Sequence, residues 1–477
     1  MLKAIKRHPL LSLLILAMIL RLPAVFVSKG FMAHDDHFET VRIAYDGIQD
    51  GLLKEDNLMI WDRMMYLIRL LHALLSLLTI YYGYRYIHEI TGDRRYAVWG
   101  GLILGAHFLM PYLAVRNLIE QVAADLLVPS LYYTWSGLER GRARPLVVAG
   151  LLAGLSWMIR FPLALAVIPI PVVIWYRYRS VRPVLYYIGG IAVIMLFSGT
   201  LDIPFLGGFG RSTINILRSF LNGEPTLPQP FWTYMALIFG ILIPPFSFFL
   251  LLPVFRRASL RLQPVMISAI LSFFIIHSLI ANKQERFMIP IFPLLIMVGM
   301  VGLYIWFRDG RVSDRWRRLF RYSALMAGIV SILLLPVFTL NYAHRGMVEP
   351  FVYLSRQNDT QTLLIERVER FRFIGLSYAG YNRPDTIVIN SWPELDSLAA
   401  ARSGLNKINY FLIYTDDDPA AHADSLARVF GPLERVFHSP PSTVDALLNF
   451  LNPRHNHTNE AWIYYRRIPP PETGEDG

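Results

Sequence analysis

The residues best suited to chemistry sit in four short polar stretches of an otherwise apolar chain. "HDDHFE" (34–39) sets Asp35 and Asp36 between His34 and His37, with Glu39 just beyond. "RNLIE" (116–120) carries Arg116 and Glu120, and "IRFP" (159–162) carries Arg160. "NKQERF" (282–287) carries Asn282, Lys283, Gln284 and Arg286. The acids come mainly from the first stretch and the cations from the other three. That division suits a reaction in which a carboxylate takes a proton and fixed cations hold an anion.

What positions these residues is a membrane. Hydrophobic residues make up 54% of the chain and charged residues only 17%, where a soluble domain is nearer a quarter charged. The mean hydropathy is +0.39. The net charge of +11 does not point to nucleic acid, because the basic residues gather in short loops between apolar runs, as the positive-inside rule expects. The absence of cysteine excludes a disulfide framework and a thiolate nucleophile or metal site.

Eleven spans are expected, near 9–28, 65–84, 96–114, 120–137, 145–159, 161–176, 184–200, 232–253, 264–281, 287–307 and 322–341. The fifth and sixth are short for a hydrocarbon core of about 30 Å, and read as broken or re-entrant segments. Lys3, Lys6 and Arg7 precede a run too long for a signal peptide, so the first span is read as uncleaved, with a cytoplasmic N-terminus. Alternating sides from there puts the clusters at 85–95, 140–144, 177–182, 256–261 and 308–321 in the cytoplasm. All four polar stretches then face the other side. A charge beside hydrocarbon is expensive, so such groups line a cavity or pair with one another.

After about residue 342 the apolar runs become short and β-rich: "DTIVIN" (385–390), "INYFLIYT" (408–415) and "AWIYYRRI" (461–468). Between the last two, Asp418, Pro419 and Gly431 mark the cap, first turn and stop of a helix. The expected fold is an all-α polytopic membrane domain over 1–341, followed by a small α/β extramembrane domain over 342–477 with a disordered tail.

Each candidate also has a structural reading. Asp35 and Asp36 read as caps of a helix along the membrane surface. Arg116 and Glu120 read as an i, i+4 ion pair, and Arg160 as a snorkelling side chain. "NKQERF" reads as a charged turn between helices, and Asp125 as a polar group packed against a neighbour. "RSTINILRSFLNG" (211–223) is amphipathic and suits the membrane interface.

Taken in order, the motifs resemble the lipid-phosphate-mannose-dependent mannosyltransferases that build GPI anchors and N-glycan precursors. "HDDHFET" is similar to their "DE-x-F-Q" first-loop motif, with Asp35 and Asp36 at the acid pair, Phe38 at the aromatic and Glu39 at the Gln. "NKQERFMIPIFP" is similar to their "HKE-x-RF-x-x-P-x-x-P" signature, with Lys283, Arg286, Phe287, Pro290 and Pro293 in place. Asn282 and Gln284 replace its His and Glu. "GLSWMIRFPLAL" resembles a Gly-rich helix leading to "RPTA", and "RNLIE" loosely matches an "R…N…E" stretch. The resemblance covers about residues 1–340. It implies a GT-C glycosyltransferase fold of about eleven transmembrane helices, a polyprenyl-phosphate-linked sugar donor with mannose as the sugar, and a glycan or glycolipid acceptor.

The residues fit that chemistry independently. Asp35 is the expected general base, with Asp36 positioning the acceptor or a sugar hydroxyl. Lys283 and Arg286 are the expected phosphate ligands, assisted by Arg160 and Arg116, since Arg suits bidentate phosphate contacts and Lys a point charge. His34, His37, Glu39, Glu120, Asn282 and Gln284 are supporting residues. Direct displacement inverts the anomeric centre. No cofactor is required; fixed cations can do the work of a metal, although Asp35, Asp36 and His37 also make a conceivable metal set. The expected setting is a bacterial inner membrane with a periplasmic site and an outside C-terminus. The rival classes are a lipid-linked-sugar polymerase or ligase, which uses a diphosphate donor, and a polyprenyl-lipid transporter or flippase. The latter expects charges at the midplane and an internal repeat, neither of which is visible.

Overall fold

The computed structural model describes residues 7–32, 58–222, 229–308, 312–367, 378, 384–401, 405–415, 418–451, 458 and 460–468. The chain forms two compact units: Met1–Ala24 with Leu70–Thr339, and Val25–Arg69 with Leu340–Gly477.

The first unit is helical. The eleven apolar segments are mostly helical, with breaks at 107–109 and 242–245, and among the described residues six helical segments are long and apolar enough to cross a membrane: Pro9–Val27, Met65–Thr91, Phe161–Tyr178, Val181–Leu206, Glu285–Arg308 and Asp314–Thr339. A further pair, Thr233–Ile241 and Phe246–Phe255, bends by 104°. The bend falls where Ile243 takes a φ of 60° ahead of Pro244 and Pro245, two residues with no N–H to continue a helix. Arg144–Ile159 and Pro264–Leu279 are shorter apolar helices.

Lipid reverses the usual amphipathic pattern. On helix Pro9–Val27 the exposed side chains are Leu11, Ile15, Ile19, Leu22 and Phe26, while the buried ones include Leu13, Ala17, Arg21 and Ala24. Arg21 spends its donors inside, from Nε to Ser76 Oγ at 2.9 Å and from Nη1 to the carbonyls of Ala17 and Gly105 at 3.1 and 2.9 Å. Helix Glu285–Arg308 is almost wholly enclosed.

With apolar solvent outside, helices associate through close packing, and small residues permit it. Helices Arg144–Ile159 and Val181–Leu206 show this where they cross. A Cβ on Gly150 would lie 2.1 Å from the Tyr187 carbonyl oxygen, and one on Gly190 would lie 2.6 Å from that of Val147. The amphipathic stretch forms helix Arg211–Asn222, whose start is held by the Ser212 N–H and hydroxyl donating to Asp202 Oδ2 at 2.9 and 2.7 Å.

The second unit holds a five-stranded mixed sheet of β1 (Thr362–Glu366), β2 (Asp385–Ile389), β3 (Ile408–Tyr414), β4 (Glu434–Ser439) and β5 (Ala461–Tyr465), in the order β2-β1-β3-β5-β4. β1 runs parallel to β2 and β3, and β5 runs antiparallel to β3 and β4. The three β-rich runs become β2, β3 and β5, and Asp418 caps helix Pro419–Phe430 as its position requires.

In this unit the segment that leads towards the acid pair is pinned. Gly30 (φ 79°) bridges Ala343, the Ala343 N–H donates to the Lys29 carbonyl at 3.1 Å, and Phe31 stacks on His344 at 4.7 Å. A Cβ on Gly30 would fall 1.8 Å from the Ala343 oxygen, so only glycine fits.

Candidate active site

His34, Asp35, Asp36, His37 and Glu39 lie outside the described residues. The cations can be placed. The chain from Arg116 to Leu118 is not helical, and the helix begins at Ile119. Glu120 therefore sits in the first turn, where a carboxylate favours the helix dipole. Arg116 and Glu120 do not occupy one helical face, and the i, i+4 pairing does not form.

Glu120 instead meets cations from far along the chain. Its Oε1 lies 3.1 Å from Arg160 Nη2 and 3.6 Å from Arg286 Nε, with the carboxylate almost fully buried. Arg160 reaches it because helix Arg144–Ile159 ends there: Arg160 is extended (φ −135°, ψ 98°). Pro162 lacks the N–H that the next helical bond needs. The Arg160 guanidinium lies 5.1 Å from the Phe287 ring centre, and that of Arg286 lies 5.7 Å from the same ring. Arg160 is thus folded inward rather than snorkelling, and one aromatic ring supports both guanidiniums.

"NKQERF" forms an extended link that enters a 3-10 turn, Glu285–Ile291. Gln284 Oε1 accepts from Arg286 Nε at 2.7 Å, and the Gln284 N–H donates to the Tyr234 hydroxyl at 3.2 Å. Lys283 is 2% exposed; its ammonium donates to the Ile280 carbonyl and sits 5.9 Å from the Tyr234 ring. Asn282 is half-buried in the same link. His277 closes the preceding helix, with Nδ1 2.9 Å from the Phe273 carbonyl and its ring 6.3 Å from Phe287.

Arg116 is buried, with its guanidinium 4.4 Å from the Tyr112 ring and its carbonyl accepting from His72 Nδ1 at 2.9 Å. Asp125 accepts from Thr79 and, at 3.1 Å, from Gln121. It is a packed polar group, as one reading of the sequence had it.

The structure therefore joins Glu120, Arg160 and Arg286 directly, and links Lys283 to them through Tyr234 and Gln284. Two guanidiniums against one carboxylate leave positive charge over, which suits a phosphate. Tyr234 escaped the sequence reading because one aromatic in an apolar helix carries no signal of its own. Among the described residues no group of three or more His, Asp or Glu side chains is placed to hold a metal.

Two solved structures of ArnT from Cupriavidus metallidurans share the fold. The one bound to undecaprenyl phosphate has a TM-score of 0.55 at 11% identity, over 95% of this chain and 97% of that one. The apo state has a TM-score of 0.55 at 12% identity, over 96% and 98%. No curated protein matches the chain significantly. The sequence matches the Alg9-like mannosyltransferase family over residues 8–385. The chain belongs to that family and is a multi-pass membrane glycosyltransferase of the GT-C fold.

Proposed function

We propose that the chain moves a sugar, mannose in keeping with its family, from a polyprenyl-phosphate donor to a glycan or glycolipid acceptor. The reaction takes place at the non-cytoplasmic face of a bacterial inner membrane, with residues 1–341 as the catalytic domain and 342–477 as an outside domain. The observation that carries this reading is the buried Glu120 holding Arg160 and Arg286 together. Two guanidiniums from separate segments are held by one carboxylate, so little reorganisation is needed to meet a phosphate. ArnT, with the same fold, binds undecaprenyl phosphate, and that supports a lipid phosphate here.

In this mechanism Asp35 accepts the proton of the acceptor hydroxyl. The acceptor oxygen attacks the anomeric carbon as the bond from that carbon to the phosphate oxygen breaks, and the configuration inverts. Lys283, Arg286, Arg160 and Arg116 neutralise the charge gathering on the departing lipid phosphate. Asp36 positions the acceptor or a sugar hydroxyl, while His34, His37, Glu39, Glu120, Asn282 and Gln284 support the two halves.

The test is transfer by purified, reconstituted protein supplied with radiolabelled polyprenyl-phosphate mannose and extracted membrane glycolipids. The expected result is labelled glycolipid and free polyprenyl phosphate. Asp35→Asn should cut turnover by about 10²–10⁴ while donor binding persists. Full activity in Asp35→Asn with an inactive Asp36→Asn exchanges their roles. Transfer from diphosphate-linked donors alone overturns the reading in favour of a polymerase or ligase.

A further inference from the structure

The bend between Thr233–Ile241 and Phe246–Phe255 leaves a groove on the membrane unit, formed with the ends of helices Phe292–Arg308 and Asp314–Thr339. It encloses about 480 Å³, within the range of about 300–1,000 Å³ typical of small-molecule sites. Its wall is aromatic: Phe249 stacks on Trp306 at 6.0 Å and meets Trp316 edge-on at 6.0 Å. Phe248 and Leu252 face outward beside them, each about half exposed. Among the described residues the one charged member of the lining is Arg256, half-buried at the break before helix Arg257–Leu262.

A hollow with this lining offers water too few polar partners. In a chain whose solvent is lipid, hydrocarbon is the natural filling. Tryptophans favour the depth of the headgroups, and Arg256 lines the same groove as Trp306 and Trp316. Arg257 and Arg261 follow it, and Arg315 and Arg318 flank Trp316 on the facing helix, while the nearby acids in the sequence are Asp309 and Asp314. The groove lies away from the donor-phosphate cluster: helix Pro264–Leu279, with 16 residues, separates the Arg256 end from Lys283 by about 24 Å.

We infer that this groove holds one anionic phospholipid, with an acyl chain along the Phe249–Trp306–Trp316 wall and its phosphate at Arg256. Basic pockets between transmembrane helices are suited to such headgroups. The site is separate from glycosyl transfer and stands whether or not the donor assignment does.

Native mass spectrometry of the purified protein tests it, with phosphatidylglycerol, phosphatidylcholine and a short-chain polyprenyl phosphate supplied in turn. One phosphatidylglycerol should be retained about fivefold better than phosphatidylcholine, and Arg256→Gln should erase that preference. Leu319→Trp, which fills the groove from an exposed position, should lower retention of both phospholipids. Unchanged thermal stability of both variants keeps the result interpretable; if Arg256→Gln fails to fold, Arg256→Lys should retain the preference. Equal retention of the two lipids by the unaltered protein overturns the inference, as does a preference surviving in Arg256→Gln. Displacement of phosphatidylglycerol by polyprenyl phosphate would assign the groove to the donor's tail. A lipid-free dimer lost in Leu319→Trp would assign it to a second copy of the chain.

Discussion

Glu120 in the membrane unit and Glu366 at the end of β1 are both wholly buried carboxylates beside a basic side chain. Their partners differ in kind. Glu120 faces two guanidiniums, which keep their charge in any surroundings. Glu366 lies 3.3 Å from a single imidazole nitrogen, His422 Nδ1. In the membrane unit an ionic cluster is obligatory, because neutralising Glu120 strands two positive charges. In the sheet unit the same change removes the acid from beside a single imidazole. Obligate charge, kept where its removal is costly, is what a site for an anion requires.

The largest effect is therefore expected from Glu120→Gln. Removing one member of a buried ionic group costs about 3–5 kcal/mol, read as a lowered Tm in detergent together with lost donor binding. Glu366→Gln should cost about 1–3 kcal/mol and leave donor binding intact. Equal losses of stability in the two variants would break the distinction between the two carboxylates.

The units also differ in what packing means. The sheet core is conventional: Leu364, Phe411 and Ile413 are fully buried on one face, and Leu363 and Leu412 on the other. Leu412→Ala should cost about 2–5 kcal/mol by removing buried hydrocarbon and leaving a cavity. In the membrane unit, where lipid is as apolar as leucine, adding atoms at a crossing is the sharper test. Gly150→Val should cost about 1–3 kcal/mol by overpacking against Tyr187. Ala at the lipid-facing Leu196, exposed in the membrane unit, should cost little. Comparable losses at Leu196 and Gly150 would mean that hydrophobic burial, rather than close approach, holds these helices together.

Much of this was legible in the sequence, for reasons that differ along the chain. Apolar runs betray helices in lipid because every backbone group must be satisfied within the segment, and the eleven are mostly helical. The cations of the candidate site were legible because charge is rare in such a chain. Their geometry was not: Glu120 meets Arg160 and Arg286 across 40 and 166 positions of sequence, and local spacing pointed to Arg116 instead. β1 is harder to see, because its short apolar run "TLLI" passes at once into the charged "ERVER". β4, "ERVFHS", is an edge strand whose side chains are mostly exposed or half-buried, so it lacks the apolar density that revealed β3.

The smallest effect belongs to the element that the sequence specified most fully. Asp418 accepts the Ala420 N–H at 3.0 Å, Pro419 fills the first helical position, and Gly431 (φ 88°) follows the last. Asp418→Ala should cost about 1 kcal/mol, and Asp418→Asn far less, because an amide oxygen accepts the same hydrogen bond. The measurement is the Tm of the protein together with hydrogen exchange at the first turn of helix Pro419–Phe430. The loss is small because water can take over the exposed Ala420 N–H, which no lipid can do for Arg160 or Arg286. If Asn proved as damaging as Ala, the carboxylate would be acting through its charge on the helix dipole rather than as a hydrogen-bond acceptor. The sheet unit would then hold a charge it cannot spare, as the membrane unit does.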